Sequence, residues 1–190
     1  LVPKRTKRLI KFEIIKLLMF FSYRFANSVV AVSKDVLIDI KKLTLLPDKK
    51  LHVIYNPIIS NAEIKNRIAN NKKSKDFKNK NIIKIISVGR LVHQKGFDVL
   101  IKSIKELNNF SSKRFYLSIY GEGYLRDDLE NLICNLNLKK QIFLKGYVEK
   151  LDEEYQKSDI FVMTSYFEGL PGALLEAMSF GLPVVAVDCR

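Results

Sequence analysis

The sequence predicts an α/β chain built on a doubly wound parallel sheet, and three observations carry that prediction. After Lys80, short β-rich apolar runs alternate regularly with stretches whose apolar residues recur at helical spacing. The short runs are nearly continuously apolar, as strands are when helices cover both faces of a parallel sheet. The loops that leave the runs carry glycine, cations and carboxylates, where an open parallel sheet places its ligands.

In chain order, Leu9 to Phe25 spaces Ile10, Ile14, Leu17, Leu18 and Phe21 at helical intervals among Lys7, Arg8, Lys11 and Arg24. This reads as a basic amphipathic helix. Ser28 to Val32 is a short strand, and Lys34 to Leu43 is a helix with Ser33 as its cap. Leu51 to Tyr55 is a second strand, closed by Asn56-Pro57. Residues 61–80 turn polar and rich in Asn and Lys, which marks 58–80 as the linker between a part ending near residue 57 and one occupying 81–190. Beyond it, strands are expected at Ile82 to Val88, Phe115 to Tyr120, Ile142 to Leu144, Ile160 to Met163 and Val184 to Val187. Helices are expected at Asp98 to Asn108, Leu125 to Leu136, Leu151 to Gln156 and Gly172 to Phe180.

The chain has 190 residues and a formal net charge of +13. The excess lies in residues 1–80, which hold 19 Lys and Arg against 6 Asp and Glu, while 81–190 is balanced. Such asymmetry suits an anionic membrane surface or nucleic acid, or else a solvated lysine-rich linker. Cys134 and Cys189 stand far apart and make neither a disulfide framework nor a metal knuckle. Both read as core or near-core residues of a protein in a reducing compartment. The longest apolar stretch, Ile14 to Phe21, contains Lys16 and falls short of the roughly 20 residues that a membrane-spanning helix needs. No small-residue cleavage site follows the opening basic residues, so a signal peptide is not expected, and the sequence reads as an excerpt of something longer.

With a strand order of 3-2-1-4-5, the ligand crevice lies between the first and fourth strands of residues 81–190. The loops there are Gly89 to Phe97 and Thr164 to Gly172. In the first, Gly89 leaves the strand, Arg90 can grip a phosphate with two parallel donors, and Lys95 adds a point charge before Gly96. Together they would stabilise charge developing on a departing diphosphate, although taken alone an Arg and a Lys in a loop are more often solvated. His93 reads as an ordinary loop residue. In the second loop, Glu168-Gly169-Leu170-Pro171-Gly172 runs into a helix carrying Glu176. Its backbone suits an anion or a cluster of sugar hydroxyls, Glu168 can accept from such hydroxyls, and Glu176 can reach a ribose diol or sit on the helix surface. Gly121-Glu122-Gly123 either lets backbone approach a ligand or supplies a tight turn.

These pieces, in this order, resemble the C-terminal domain of the family 4 retaining glycosyltransferases, which have the two-domain GT-B fold. The carriers are Val88-Gly89-Arg90-Leu91 through Lys95-Gly96, Gly121-Glu122-Gly123, Gly146-Tyr147-Val148, Ser158-Asp159-Ile160-Phe161-Val162, Glu168-Gly169-Leu170-Pro171 through Glu176-Ala177-Met178, and Gly181-Leu182-Pro183-Val184-Val185-Ala186. The Glu168 to Glu176 spacing is the strongest of them. Upstream, Ala26 to Ser33 and Ile54-Tyr55-Asn56-Pro57 are similar to the last part of the family's N-terminal domain. The resemblance implies that residues 1–57 end the acceptor-side domain and that 81–190 form the donor-binding domain, with the family's remaining strand and closing helices absent.

By the same resemblance Arg90 and Lys95 would bind the donor pyrophosphate, with Gly89 and Gly121 beside it. Glu168 and the backbone of Gly169, Leu170 and Pro171 would hold the donor sugar, Glu176 the ribose, and Tyr147 and Val148 would lie near the base. Arg90, Lys95 and Glu168 are the candidate catalytic residues. The implied reaction moves a hexose or N-acetylhexosamine from a nucleotide diphosphate sugar, UDP-linked by preference, with retention, to a lipid-linked or cell-surface polysaccharide acceptor. No metal or other cofactor is implied, in keeping with the lack of a clear Asp-x-Asp motif. The setting would be cytoplasmic, at the inner membrane face, with no nucleic acid partner, and the isolated chain is expected to be inactive. The competing expectation is a nucleotide-binding module with a basic nucleic-acid-binding extension, weakened by the lack of interleaved aromatics in 61–80. A hydride-transfer enzyme is weaker still, because no full dinucleotide fingerprint follows the first strand.

Overall fold

The structure, a computed structural model, describes residues 4–70 and 80–189. The chain divides into two compact units, Leu1–Asn56 and Pro57–Arg190.

The first unit opens with α1 (Lys4–Ser22) and a single 3₁₀ turn, Tyr23–Phe25. Strand β1 (Val29–Ala31) then leads through α2 (Lys34–Thr44) to β2 (Leu51–Val53), which pairs with β1 in parallel from Val29↔Leu51 to Ala31↔Val53. Ser33 caps α2 by accepting from the Val36 N–H at 3.3 Å, satisfying a donor that the first helical turn leaves open. Leu45 ends the helix in the left-handed region, its N–H bonded to the Lys41 carbonyl. Lys50 ties the strand pair back to the preceding turn by donating to the carbonyls of Ala26 at 2.8 Å and Arg24 at 3.1 Å. Ala31, Leu46 and Leu51 are buried, whereas Leu17, Leu18, Phe21 and Phe25 are exposed along and just after α1.

The second unit begins with α3 (Asn61–Asn70), inside the stretch expected to be linker. Sequence reading missed this helix because its composition is polar, yet its start carries a capping box. Ser60 Oγ accepts from the Glu63 N–H at 3.2 Å, while the Glu63 carboxylate accepts from the Ser60 N–H at 2.9 Å and the Ser60 hydroxyl at 2.7 Å. Those bonds, the backbone one foremost, hold the Glu63 carboxyl below its ordinary range. The rest of the expected linker, 71–79, lies outside the described residues.

Five strands follow: β3 (Ile82–Val88), β4 (Arg114–Tyr120), β5 (Ile142–Gly146), β6 (Ile160–Met163) and β7 (Val184–Ala186). They form one parallel sheet in the order β5-β4-β3-β6-β7, the order expected for a doubly wound fold. Helices α4 (Phe97–Phe110) and α5 (Arg126–Asn135) cover one face, where Leu100, Ile101, Ile104, Leu129 and Ile133 pack on Ile83, Ile85, Leu117 and Ile119. Helices α6 (Asp152–Lys157) and α7 (Gly172–Ser179) cover the other, where Tyr155, Ala177 and Phe180 pack on Ile86 and Phe161. Adjacent strand residues thus enter different cores, which is why the runs read as continuously apolar. Cys134 was expected near the core, but it stands exposed on α5 because its core-facing neighbour Ile133 takes the buried position; Cys189 is half-buried.

The central seam joins β3 to β6 at Ile85↔Ile160 and Ile86↔Phe161. Below it the buried Asp159 carboxylate accepts from the Lys84 N–H at 2.9 Å and pairs with Lys80; above it the Ser87 hydroxyl donates to the Val162 carbonyl at 2.6 Å. Beyond the seam, loops interlock through glycine. Gly121, at φ +137°, lies so close to the preceding loop that a Cβ would stand 2.0 Å from the Gly89 carbonyl oxygen. Gly96, at φ +61°, would meet the Thr164 carbonyl oxygen at 2.3 Å.

Two outcomes test these constraints by urea denaturation. Asp159→Ala should cost about 2 kcal/mol, the scale of a hydrogen bond to a buried charge, whereas Lys80→Ala should cost under about 1 kcal/mol because the lysine is largely solvated. Gly121→Ala should destabilise the protein by roughly 1–3 kcal/mol, since the new methyl group meets backbone at a φ that L residues avoid.

Candidate functional site

The loops at the carboxyl ends of β3, β4 and β5 are bound to one another through their backbones. The Gly89 N–H donates to the Tyr120 carbonyl at 2.9 Å, Leu91 to Glu122 at 2.9 Å, Leu125 to Leu91 at 3.1 Å, and Gly121 to Gly146 at 2.8 Å. Leu91 is fully buried, so Arg90 is held between an anchored glycine and an anchored leucine with its own side chain exposed. Among the described residues the Arg90 guanidinium has no hydrogen-bond or ion-pair partner. Its five donors are free for a planar anion.

Arg90 borders a cavity of about 470 Å³ shared by Gly89, Tyr120, Gly121, Glu122, Tyr147, Val148, Glu149 and Leu151. Five of the residues singled out from sequence, Gly89, Arg90, Gly121, Tyr147 and Val148, therefore line one space. Tyr147 offers its ring to solvent at 77% exposure, and Val148 is partly exposed beside it, so an apolar planar group can lie against them. Gly121 serves the approach of backbone to backbone rather than a plain turn, and it keeps the cavity wall thin.

Sequence reading missed Tyr120. It ends β4, lines the cavity, and donates from its hydroxyl to Glu154 Oε2 at 2.5 Å. Burial first, and then this carboxylate, push the phenol well above its usual titration range, so it stays a donor. A polar-tipped aromatic closing an otherwise apolar run, directly before Gly-x-Gly, was the available signal.

The second cluster joins the loop after β3 to the loop after β6. Lys95 Nζ stands 2.5 Å from Glu168 Oε1, with both side chains largely shielded from solvent. Thr164 Oγ1 donates to the Gly96 carbonyl at 2.9 Å, Gln94 Nε2 to the Phe167 carbonyl at 2.8 Å, and the Tyr166 N–H to the Gln94 carbonyl at 2.8 Å. His93 is more than a spacer, for its ring stacks on Tyr166 at 5.0 Å between centroids. Gln94, Thr164 and Tyr166 were not singled out from sequence, because their pairings span about 70 residues and leave no local pattern. Gly169 and Leu170 lead to Pro171, the residue at the start of α7, whose first turn no side chain caps. The N–H groups there suit an anion or hydroxyl oxygens.

Glu176 is half-buried on α7, and its Oε2 accepts from the Tyr155 hydroxyl at 3.1 Å. Burial and the Glu176 charge drive the Tyr155 phenol upward, again fixing it as a donor. Among the described residues no group of three or more His, Cys, Asp or Glu side chains converges to hold a metal ion. Nor is any described helix long and apolar enough to cross a membrane.

A family model described as glycosyl transferases group 1 matches residues 68–190. An uncharacterized glycosyltransferase of Methanocaldococcus jannaschii is 35% identical over 126 residues, 65% of this chain and 31% of that protein. An Escherichia coli enzyme, UDP-Gal:α-D-GlcNAc-diphosphoundecaprenol α-1,3-galactosyltransferase, is 33% identical over 156 residues, 80% of this chain and 38% of its own length. The chain thus spans about a third of these relatives. In structure it superposes on Staphylococcus aureus TarM, solved with fondaparinux, α-GlcNAc-glycerol and UDP, with a TM-score of 0.71 over 90% of this chain and 32% of that one, at 24% identity. The matched segment holds both loop clusters and the whole five-stranded sheet, and the chain belongs to the glycosyl transferases group 1 family.

Proposed function

We propose that the protein transfers a hexose or N-acetylhexosamine from a UDP-sugar to a lipid-linked or cell-surface polysaccharide acceptor, with retention at the anomeric carbon and without a metal ion. The observation that carries the reading is the constellation at the switch point: an exposed Arg90, unpartnered among the described residues, on a cavity beside Tyr147 and Val148, with Lys95 and Glu168 paired across the two loops. The E. coli relative, named as acting from UDP-Gal on an undecaprenol-linked acceptor, and the UDP bound in TarM support the choice of donor and acceptor class.

In this reading the base lies against Tyr147 and Val148, the ribose diol donates to Glu176, and Arg90 grips the diphosphate with two parallel bonds. As the bond from anomeric carbon to phosphate oxygen breaks, its electron pair moves onto the phosphate, where Arg90 and Lys95 stabilise the growing charge. An acceptor hydroxyl oxygen bonds to the same face of that carbon, and its proton passes to the departing phosphate. Lys95 can hold Glu168 and a phosphate oxygen at once, because an ammonium has three donors. Glu168 keeps that ammonium in place and accepts from sugar hydroxyls, while the Gly169 and Leu170 N–H groups donate to hydroxyl oxygens. Arg90 and the Lys95 ammonium are the cations that meet the diphosphate, with no metal ion invoked.

The exposed Leu17, Leu18 and Phe21 of α1, with Lys4, Arg5, Lys7 and Arg8 near its start in sequence, suit a peripheral seat on the anionic cytoplasmic face of a membrane.

Two measurements on the full-length protein test these proposals. In calorimetric titration UDP should bind, and Arg90→Ala and Glu176→Ala should each weaken it about tenfold or more, the scale of a charge-assisted hydrogen bond. Tight binding of GDP instead would reassign the base, and unchanged affinity in both variants would reject the site. In sedimentation, vesicles rich in phosphatidylglycerol should pull down more protein than phosphatidylcholine vesicles, with the difference shrinking in high salt. Equal sedimentation with both would remove the membrane proposal.

A further inference from the structure

The surroundings of Glu176 extend to a helix that no functional motif includes. Tyr155, on α6, is fully buried and donates to the Glu176 carboxylate on α7, so the bond joins two helices. The Phe180 ring, just past α7, stacks on Tyr155 at 5.2 Å with 22° between planes. Over the Phe180 ring, at 4.3 Å from its centroid, lies the guanidinium of Arg67 from α3. Arg67 donates from Nη1 to Ser179 Oγ at 3.0 Å, and Ser179 Oγ in turn donates to the Glu176 carbonyl at 2.6 Å. Its Nη2 stands 3.7 Å from the carboxylate of Asp152, the first residue of α6.

One arginine therefore meets the beginning of α6 and the end of α7, the two helices that Tyr155 and Glu176 join. Its planar fork and flat cationic face are both in use, a combination that lysine cannot reproduce. The Tyr155 bond engages Oε2 of Glu176, and among the described residues Oε1 has no hydrogen-bond partner, which leaves it to meet a ligand. A glutamate without such bonds samples several rotamers and presents its carboxylate in any one direction only part of the time.

We propose that Tyr155 and Arg67 are positioning residues for Glu176: Tyr155 orients its carboxylate directly, and Arg67, by clamping α6 to α7, ties helix α3 to the nucleotide site. This rests on the reading of Glu176 as the group that meets the ribose. It makes α3, at the start of the second unit, a part of the binding machinery rather than a spacer. Movement of α3 would alter how firmly the nucleotide is held.

The test is calorimetric titration of the full-length protein and its Tyr155→Phe, Arg67→Ala, Arg67→Lys and Glu176→Gln variants with three probes: UDP, 2′,3′-dideoxyuridine diphosphate and inorganic pyrophosphate. The dideoxy nucleotide lacks the diol, and pyrophosphate reports the Arg90 and Lys95 side alone. Tyr155→Phe and Arg67→Ala should weaken UDP about tenfold, the scale of one hydrogen bond to a charged group, and leave the other two probes within about twofold. Arg67→Lys should fall nearer to Arg67→Ala than to the parent protein. Adding Tyr155→Phe to Glu176→Gln should cost nothing further, because the group being oriented is already impaired. UDP affinity unchanged in Tyr155→Phe and Arg67→Ala overturns the inference, as does equal loss for all three probes, which marks general damage. If Glu176→Gln itself leaves UDP binding intact, the ribose reading fails first and the positioning role falls with it.

Discussion

Strand β3 is the member on which the sheet depends, because α4 and α5 wind from it toward β5 on one face while α6 and α7 wind toward β7 on the other. Its ladder with β4 runs the full length of both strands, from Ile82↔Arg114 to Val88↔Tyr120, whereas its ladder with β6 is confined to Ile85↔Ile160 and Ile86↔Phe161. Side chains complete what the backbone does not: Asp159 accepts the Lys84 N–H below the seam, and Ser87 donates to Val162 above it. Buried strand groups must find partners, so a short ladder requires polar side chains inside the sheet. Where the ladder stops, the chain leaves as the two loops that carry Arg90, Lys95 and Glu168. The reversal of winding thus produces the site as well as the fold.

That site sits in the half of the chain whose charges balance overall, so its cationic character is local. Among the described residues Arg90 has no partner, because its anchored neighbours leave its side chain exposed, whereas Lys95 is already neutralised by Glu168. An exposed arginine can capture an anion from solvent at little desolvation cost, and a shielded ion pair then completes the contact without leaving a buried charge alone. Division of labour between a free fork and a held point charge suits a diphosphate, whose charge shifts outward as its bond to sugar breaks.

The same economy of buried polar groups appears among the helices that flank the sheet. Tyr120 and Tyr155 each spend a hydroxyl on a glutamate, Glu154 and Glu176, and neither phenol ionises in its surroundings. Helix α3 then closes the polar circuit at Ser179 and Asp152 through Arg67. These contacts lie between elements far apart in sequence. They turn separate helices into one support beneath Glu176.

Amino-acid order alone determined the alternation of strands and helices, because burial on both faces of a parallel sheet and the 3.6-residue period are local properties, and the two loops of interest followed once a doubly wound strand order was assumed. The Ser33 cap and the glycine-bordered loop after β3 were legible for the same reason. The capping box at Ser60 and Glu63 was equally local, yet the polar composition around it read as linker, and the exposure of Cys134 turned on a single step of helical phase. Only the tertiary structure decided that Tyr120 shares the cavity with Arg90, that Gln94 and Thr164 stitch the loops, and that Arg67 and Tyr155 stand behind Glu176. Those partners come together through the pairing of β3 with β4, the crossover from β5 back to β6 and the docking of α3, and contacts made across a fold leave no periodicity for a sequence to display.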